Sequence, residues 1–190
     1  MPSHFFRNYL DGLDDVLKTI SGIQFSRLTE ELKEVFEHRG NIFIFGNGGS
    51  GSTASHFASD MNKGVSYGKN PRFKVICLND NLPTLLAYAN DVSYEDVFVE
   101  QLKNFLEKGD LVIGLSGSGD SENVLRAIQY AGDCGAKTWG ICGFGGGKLR
   151  EAAAKSLVIN SHDMQFVEDA HCIVLHCIMK WFKKGFEQQV

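Results

Sequence analysis

Two pairs of side chains in this sequence have the types and spacing that acid–base or metal chemistry requires. His56 and Asp60 stand four residues apart in a segment with helical spacing, so both side chains project from one face of a helix. Glu168 and His176 stand eight residues apart near the end of the chain, which separates them by about 80° around a helix axis. Two imidazoles and two carboxylates that border one cleft can bind a divalent metal, or can move protons without one.

Spacing alone leaves other readings of these positions open. A single histidine such as His56 is more typical of a helix surface or a core than of a functional site. His171 and Asp169 compete for the same roles, and Asp169 is closer in angle to His176 than Glu168 is.

A glycine-rich loop follows the first predicted strand and reads Gly46-Asn47-Gly48-Gly49-Ser50-Gly51-Ser52. A strand, a glycine turn and a helix N-terminus together present free backbone N–H groups and the positive end of a helix dipole. We therefore expect Asn47, Gly48, Gly49 and Ser50 to bind a phosphate or sugar oxygens. The loop lacks the Gly-Lys-Ser/Thr ending of a P-loop and the third glycine of a dinucleotide site. The alternative is a tight turn that merely needs glycine.

A second loop, Ser116-Gly117-Ser118-Gly119-Asp120-Ser121-Glu122-Asn123, follows the third predicted strand and again opens a helix. Its hydroxyls can surround an anion without adding charge, so we predict phosphate binding by Ser116, Gly117, Ser118 and Ser121. Ser121 has an alternative role as an ordinary helix cap. Both loops lie at carboxyl ends of strands, where open α/β sheets bind ligands.

The elements that position these residues follow an alternating pattern. Two helices are predicted within residues 4–38, and the strands and helices then alternate as in βαβ units. Strands are predicted at 41–45, 74–78, 110–115, 137–142 and 156–159. Helices are predicted near 51–65, 83–90, 94–107, 121–134, 147–154 and 164–184. The fold class is α/β, a three-layer αβα sandwich with a five-stranded parallel sheet. We expect one domain over 1–190, with a helical oligomerisation segment at 1–40 and an α/β core at 41–190.

Composition excludes several classes of partner. The formal net charge is −4 and the Lys and Arg residues are scattered, so no nucleic-acid partner is expected. The longest apolar stretches are too short to cross a bilayer, which predicts no membrane partner. Five cysteines without a CxxC pair predict reduced thiols and a cytoplasmic location.

The two loops carry a resemblance to a known family. Gly-Asn-Gly-Gly-Ser before a helix and Ser-x-Ser-Gly-x-Ser-x-Asn after a later strand resemble the phosphoheptose isomerase branch of the sugar isomerase (SIS) family. The likeness extends over about 41–182 and includes Ala89-Asn90-Asp91 and the turn Gly145-Gly146-Gly147. It implies a flavodoxin-like SIS fold, a homotetramer and a zinc cofactor. It also implies isomerisation of sedoheptulose 7-phosphate to D-glycero-D-manno-heptose 7-phosphate, a precursor of lipopolysaccharide or capsule.

The resemblance also assigns roles to residues. It places His56 and His176 on the family's two histidines, with Asp60 in place of a Glu and Glu168 in place of a Gln. It thereby implies metal binding by His56, Asp60, Glu168 and His176, and catalysis by Asp60, His176 and Glu168. Asp91 is expected to orient a sugar hydroxyl, although an Asn-Asp pair in a turn also has a purely local explanation. The base is Asp60 by resemblance, or Glu168 if the two carboxylates exchange roles.

Two other functions compete with this one. Relatives of the SIS fold include non-catalytic sugar-phosphate-binding regulators, one type of which associates with a replication initiator. An isomerase of a different sugar phosphate shares every predicted site residue. The presence of both histidines and both carboxylates favours an enzyme over a binding protein.

Overall fold

The computed structural model of the chain describes residues 1–187, and its centre is a five-stranded parallel sheet. The strands are β1 Ile42–Gly46, β2 Val75–Cys77, β3 Leu111–Ser116, β4 Lys137–Cys142 and β5 Lys155–Val158. They lie side by side in the order β2-β1-β3-β4-β5, which is the doubly wound arrangement of flavodoxin-like folds. The predicted α/β class and parallel sheet are confirmed.

Eight α-helices surround this sheet in the described part of the chain. They are α1 Pro2–Lys18, α2 Gly22–Glu37, α3 Gly48–Ser59, α4 Leu82–Asp91, α5 Val99–Phe105, α6 Glu122–Asp133, α7 Leu149–Ala152 and α8 Met164–Glu187. Helix α3 ends earlier than predicted, because a π-helical turn, Asp60–Val65, continues it. The predicted helix at 94–107 is divided into a 3-10 turn, Tyr94–Asp96, and α5. No helix within residues 1–187 is both long enough and apolar enough to span a bilayer.

Helices cover both faces of the sheet, and this explains why its strands are apolar runs. Every residue of β1 and β3 is buried. Successive side chains point to opposite faces, so Ile44 packs in the core beneath α3 and α8, whereas Phe43 packs in the core beneath α5 and α6. This places α3 and α8 on the same side of the sheet, where they contact each other.

The first helix lies against the beginning of α8. The Tyr9 ring packs on Phe166 with a centroid distance of 4.8 Å, and its hydroxyl donates a 2.6 Å hydrogen bond to Asp169. Helix α1 buries no residue of its own and leaves Phe5 73% and Phe6 61% exposed. An apolar surface of this kind is typical of a helix that meets another subunit.

The loop after β3 has a shape fixed by backbone packing. Gly119 has a φ of +77°, and a Cβ placed there would lie 2.1 Å from the carbonyl oxygen of Gly146. Its own carbonyl oxygen accepts a 2.8 Å hydrogen bond from Leu149 N–H. The turn Gly145-Gly146-Gly147 therefore packs against the second predicted phosphate loop and fixes its shape.

Candidate functional site

The two glycine-rich loops lie side by side at the carboxyl edge of the sheet. Their strands, β1 and β3, are hydrogen-bonded neighbours. The side-chain amides of Asn47 and Asn123 pair reciprocally, with both N···O distances at 2.9 Å. The Tyr94 hydroxyl donates a further 2.9 Å bond to Asn47 Oδ1. Three segments that are distant in sequence thus meet at one point.

Both helices that leave these loops begin without a side-chain cap. The N-cap residues are Asn47 for α3 and Ser121 for α6, and neither side chain bonds to its own helix. By contrast, Ser21 caps α2 and Asn81 caps α4, each through a 3.3 Å bond. The Ser121 side chain therefore does not cap α6, and the alternative role suggested for it by the sequence is wrong. First-turn N–H groups at two neighbouring helix N-termini therefore have no side-chain cap, an arrangement that suits anionic oxygen.

The serines of the second loop divide into a buried and an accessible set. Ser116 is 3% exposed, accepts a 3.1 Å bond from Gly119 N–H and lies 3.1 Å from the Ser121 hydroxyl. Ser118 accepts a 3.2 Å bond from Asp120 N–H. Ser116 therefore holds the loop in shape from below, whereas Ser118 and Ser121 are half-exposed at its surface.

Gly117 serves the loop through its small size. A Cβ at Gly117 would lie 2.4 Å from the Met164 sulfur, so the first turn of α8 is able to cross the loop only because this residue has no side chain.

The predicted site residues of the first loop face different parts of the structure. Ser50 is only 6% exposed and lies beneath the loop. Gly48 has a φ of +54° with open space around it, which leaves its backbone accessible. Gly49 faces α8: a Cβ there would lie 2.7 and 2.8 Å from the two carboxylate oxygens of Glu168. A carboxylate of the protein itself thus stands at the positive end of α3.

Three of the four predicted metal ligands lie close together near the C-terminal end of α3. His56 Nε2 lies 2.9 Å from His176 Nε2 and 3.4 Å from Asp60 Oδ2, and the third distance, His176 to Asp60, is 3.7 Å. The three side chains are partly exposed, at 57% for His56, 42% for His176 and 21% for Asp60. Glu168 is not in this group, because its carboxylate lies beside Gly49 instead.

The geometry of this group fits a divalent metal such as zinc. Two imidazole nitrogens and one carboxylate oxygen form the donor set of many catalytic zinc sites, which keep a fourth position open. Ligand atoms of a tetrahedral zinc lie about 3.3 to 3.4 Å apart when the metal–ligand bonds are about 2.0 to 2.1 Å. The three observed separations, 2.9, 3.4 and 3.7 Å, bracket that spacing.

The two competing residues on α8 have other roles. Asp169 accepts the Tyr9 hydroxyl, and this hydrogen bond is the main cause that raises the pKa of Tyr9 to about 12. His171 is 1% exposed, and neither of its ring nitrogens has a hydrogen-bond partner within the described chain. Burial lowers the pKa of His171 to about 4, so this histidine is neutral at pH 7. Neither residue belongs to the candidate metal-binding group of His56, Asp60 and His176.

A polar cleft of about 620 Å³ runs along α3 from the first loop to His56. Its walls include Ser52, Ser55, Asn79 and Asp80. Asn79 reaches across from the end of β2 and exchanges bonds with the Gly46 backbone at 2.8 and 3.3 Å. Asp91 is exposed at the end of α4, where it accepts a 2.7 Å bond from the neighbouring Asn90.

Sequence reasoning missed Tyr94, Asn123, Asn79 and Asp80. Asn123 was within the quoted loop pattern, but nothing in the sequence indicated which partner its amide meets. Asn79 and Asp80 follow the second strand directly, so their place at the carboxyl edge could have been inferred from strand order alone.

The sequence and the fold resemble known proteins over most of the chain. A family model described as the SIS domain matches residues 4–143. A phosphoheptose isomerase from Helicobacter pylori is 34% identical over an alignment 184 positions long, which covers 93% of this chain and 88% of that protein. A probable phosphoheptose isomerase from Thermoplasma volcanium is 30% identical over 171 residues, or 90% and 87% of the two chains. A solved phosphoheptose isomerase from Francisella tularensis matches with a TM-score of 0.88 at 21% identity, covering 97% of this chain and 99% of the other.

Proposed function

Because the chain belongs to the phosphoheptose isomerase family of SIS-domain proteins, we propose that it interconverts the ketose and aldose forms of a phosphorylated sugar. The proposed substrate is sedoheptulose 7-phosphate and the product is D-glycero-D-manno-heptose 7-phosphate. The names of the curated relatives support this choice of sugar.

One observation carries the proposal most directly. Two uncapped helix N-termini lie side by side, and the candidate metal ligands His56, Asp60 and His176 lie near the other end of α3. The N-termini suit the phosphate and hydroxyl oxygens of one ligand, since free N–H groups and helix dipoles favour anionic oxygen. The proposed phosphate contacts are the half-exposed hydroxyls of Ser118 and Ser121 and the first backbone amides of α6.

Glu168 is the base in this proposal. Asp60 lies within 3.4 and 3.7 Å of two imidazole nitrogens, so its carboxylate is engaged with the histidines. The Glu168 carboxylate stands outside that group and beside the first loop, where an open-chain sugar would be held. It removes a proton from the carbon next to the carbonyl, exchanges that proton with solvent while the enediol is bound, and delivers a proton to the former carbonyl carbon. When no metal is bound, His176 moves a proton between the two substrate oxygens as the enediol forms and collapses.

His56, Asp60 and His176 are the proposed ligands of a zinc cofactor. A bound metal would polarise the substrate carbonyl and favour the negative charge that develops on its oxygen. Glu168 stands outside this ligand set, with its carboxylate beside Gly49.

A homotetramer and a cytoplasmic location complete the proposal. The exposed aromatic residues of α1 support burial of this helix in an oligomer. The five cysteines are all free thiols, which suits a reducing compartment.

The test is an assay of purified protein with sedoheptulose 7-phosphate, with chelator and with added zinc. We expect turnover that chelator lowers and zinc restores. In His56→Ala, added zinc should no longer raise turnover. Glu168→Ala should abolish turnover while zinc binding remains. Absence of turnover in every condition would refute the assignment of this sugar.

A further inference from the structure

The geometry points to Tyr94 and Asn123 as positioning residues that lock the side-chain amide of Asn47 in one orientation toward the substrate. This inference rests on the proposed function, because Asn47 is a proposed substrate-binding residue. Neither Tyr94 nor Asn123 has an assigned role in that function.

The lock consists of three hydrogen bonds at Asn47. Its carbonyl oxygen accepts from the Tyr94 hydroxyl and from Asn123 Nδ2, both at 2.9 Å. Its Nδ2 donates one N–H to Asn123 Oδ1 at 2.9 Å. A carboxamide has two N–H donors and one oxygen with two acceptor sites. The second N–H of the Asn47 amide therefore remains available to a ligand.

This arrangement decides what Asn47 offers to a ligand. Both acceptor sites of its oxygen are filled, so the side chain presents only a donor. A donor selects an acceptor oxygen, as on a phosphate, a carbonyl or a sugar hydroxyl. If the Tyr94 hydroxyl were absent, one reason for the observed orientation would be lost, and the free acceptor site would compete with the donor.

The turn that carries Tyr94 is itself fixed to α6. Asp96 accepts a 2.9 Å bond from the Arg126 guanidinium and a 2.7 Å bond from the Ser93 hydroxyl. Hydrogen bonds from the Ser93 hydroxyl and the Arg126 guanidinium lower the pKa of Asp96. Arg126 and Asn123 are three residues apart on α6 and therefore share a face.

The contacts close into a ring. It runs from Asn123 to Asn47, to Tyr94, through the turn to Asp96, and back to α6 at Arg126. One face of α6 thus positions both Asn47, which is the proposed substrate-binding residue, and Tyr94, which orients the Asn47 side chain. Tyr94 is 52% exposed, so its ring contributes little to the core, and the hydroxyl is the part of the side chain that the ring of contacts uses.

The experiment compares Tyr94→Phe with wild type, using Tyr67→Phe as the matched control. Tyr67 is 76% exposed and lies outside the ring of contacts, so its variant removes a hydroxyl without touching Asn47. We expect Tyr94→Phe to raise KM for sedoheptulose 7-phosphate about three- to tenfold, with kcat changed less than twofold, because a net hydrogen bond has about this effect. Tyr67→Phe should leave both parameters unchanged.

A second readout does not depend on turnover. In the 1H–15N spectrum of the protein, the side-chain amide signals of Asn47 and Asn123 should shift in Tyr94→Phe and remain in place in Tyr67→Phe. Unshifted amide signals, or a fall in kcat that equals the fall in kcat/KM, would overturn the inference. If wild type turns over no sugar phosphate, the proposed function fails, and the amide spectrum still decides whether the lock exists.

Discussion

The contact between Gly49 and Glu168 can be tested by adding one methyl group. In Gly49→Ala the new Cβ would lie 2.7 Å from the nearer carboxylate oxygen, whereas ordinary contacts begin at 3.4 Å. The carboxylate must therefore withdraw by roughly 0.7 Å, the difference between those two distances. Glu168 is half-buried at the end of a flexible side chain, so it can move while the backbone stays in place.

The expected change in the free energy of unfolding has two opposing parts. Alanine is more favourable than glycine in a helix by about 1 kcal/mol. A displaced Glu168 leaves its rotamer, at about 0.5 to 1.5 kcal/mol, and loses about 0.3 to 1 kcal/mol of interaction with the positive end of α3. We therefore expect Gly49→Ala to leave stability unchanged or lower it by about 1 kcal/mol. In a Glu168→Ala background the same substitution should stabilise by about 1 kcal/mol.

Urea denaturation of the two single variants and the double variant measures this coupling. Gly132→Ala is the control, since Gly132 lies in α6 with nothing within 4 Å of its would-be Cβ and should stabilise equally in both backgrounds. An equal effect of Gly49→Ala in the two backgrounds would contradict the placement of Glu168 at α3. That result would make Glu168 a candidate fourth ligand of the proposed metal site.

Three further predictions concern the fold around the site. Gly119→Ala should lower the free energy of unfolding by about 2 to 4 kcal/mol in chemical denaturation. The new Cβ would combine a left-handed φ with a 2.1 Å contact to the Gly146 carbonyl oxygen. A change under about 1 kcal/mol would count against this packing. Burial raises the pKa of the Cys142 thiol to about 11, so at pH 8 Ellman's reagent should label exposed Cys134 in the native protein and leave Cys142 unlabelled until unfolding. His171 has a pKa of about 4 when folded and about 6.5 when unfolded, so its contribution is complete above pH 6.5 and is lost as pH falls toward 4. Between pH 7 and pH 5 the loss should be about 2 kcal/mol, and His171→Leu should lack this part of the pH dependence.

The fold could be predicted from sequence because its signals are local and repeated. Apolar runs such as 41–45 alternate with segments of helical spacing, and parallel strands allow few arrangements. The two loops were correctly expected at one edge, since each follows a strand directly. Helix ends were less predictable: α3 gives way to a π turn at Asp60, and no sequence signal marks that change.

The site could be predicted only in part, because side-chain direction depends on packing. His56, Asp60 and His176 converge as their helical spacing allowed. Glu168 shares the helix with His176, but its rotamer takes the carboxylate to Gly49. Ser116 belongs to the predicted loop, yet its hydroxyl turns inward to hold Gly119. Each difference arises from a contact between segments that are far apart in sequence.

The central claim is that this site moves a proton between adjacent carbons of a sugar phosphate. The most direct measurement is isomerisation of sedoheptulose 7-phosphate in D₂O, followed by NMR of the aldose product. Proton exchange through an enediol predicts deuterium at C2 of the aldose in wild type, with none formed by Glu168→Ala. An aldose product that carries only protium at C2, or undiminished deuterium incorporation in Glu168→Ala, would contradict the account.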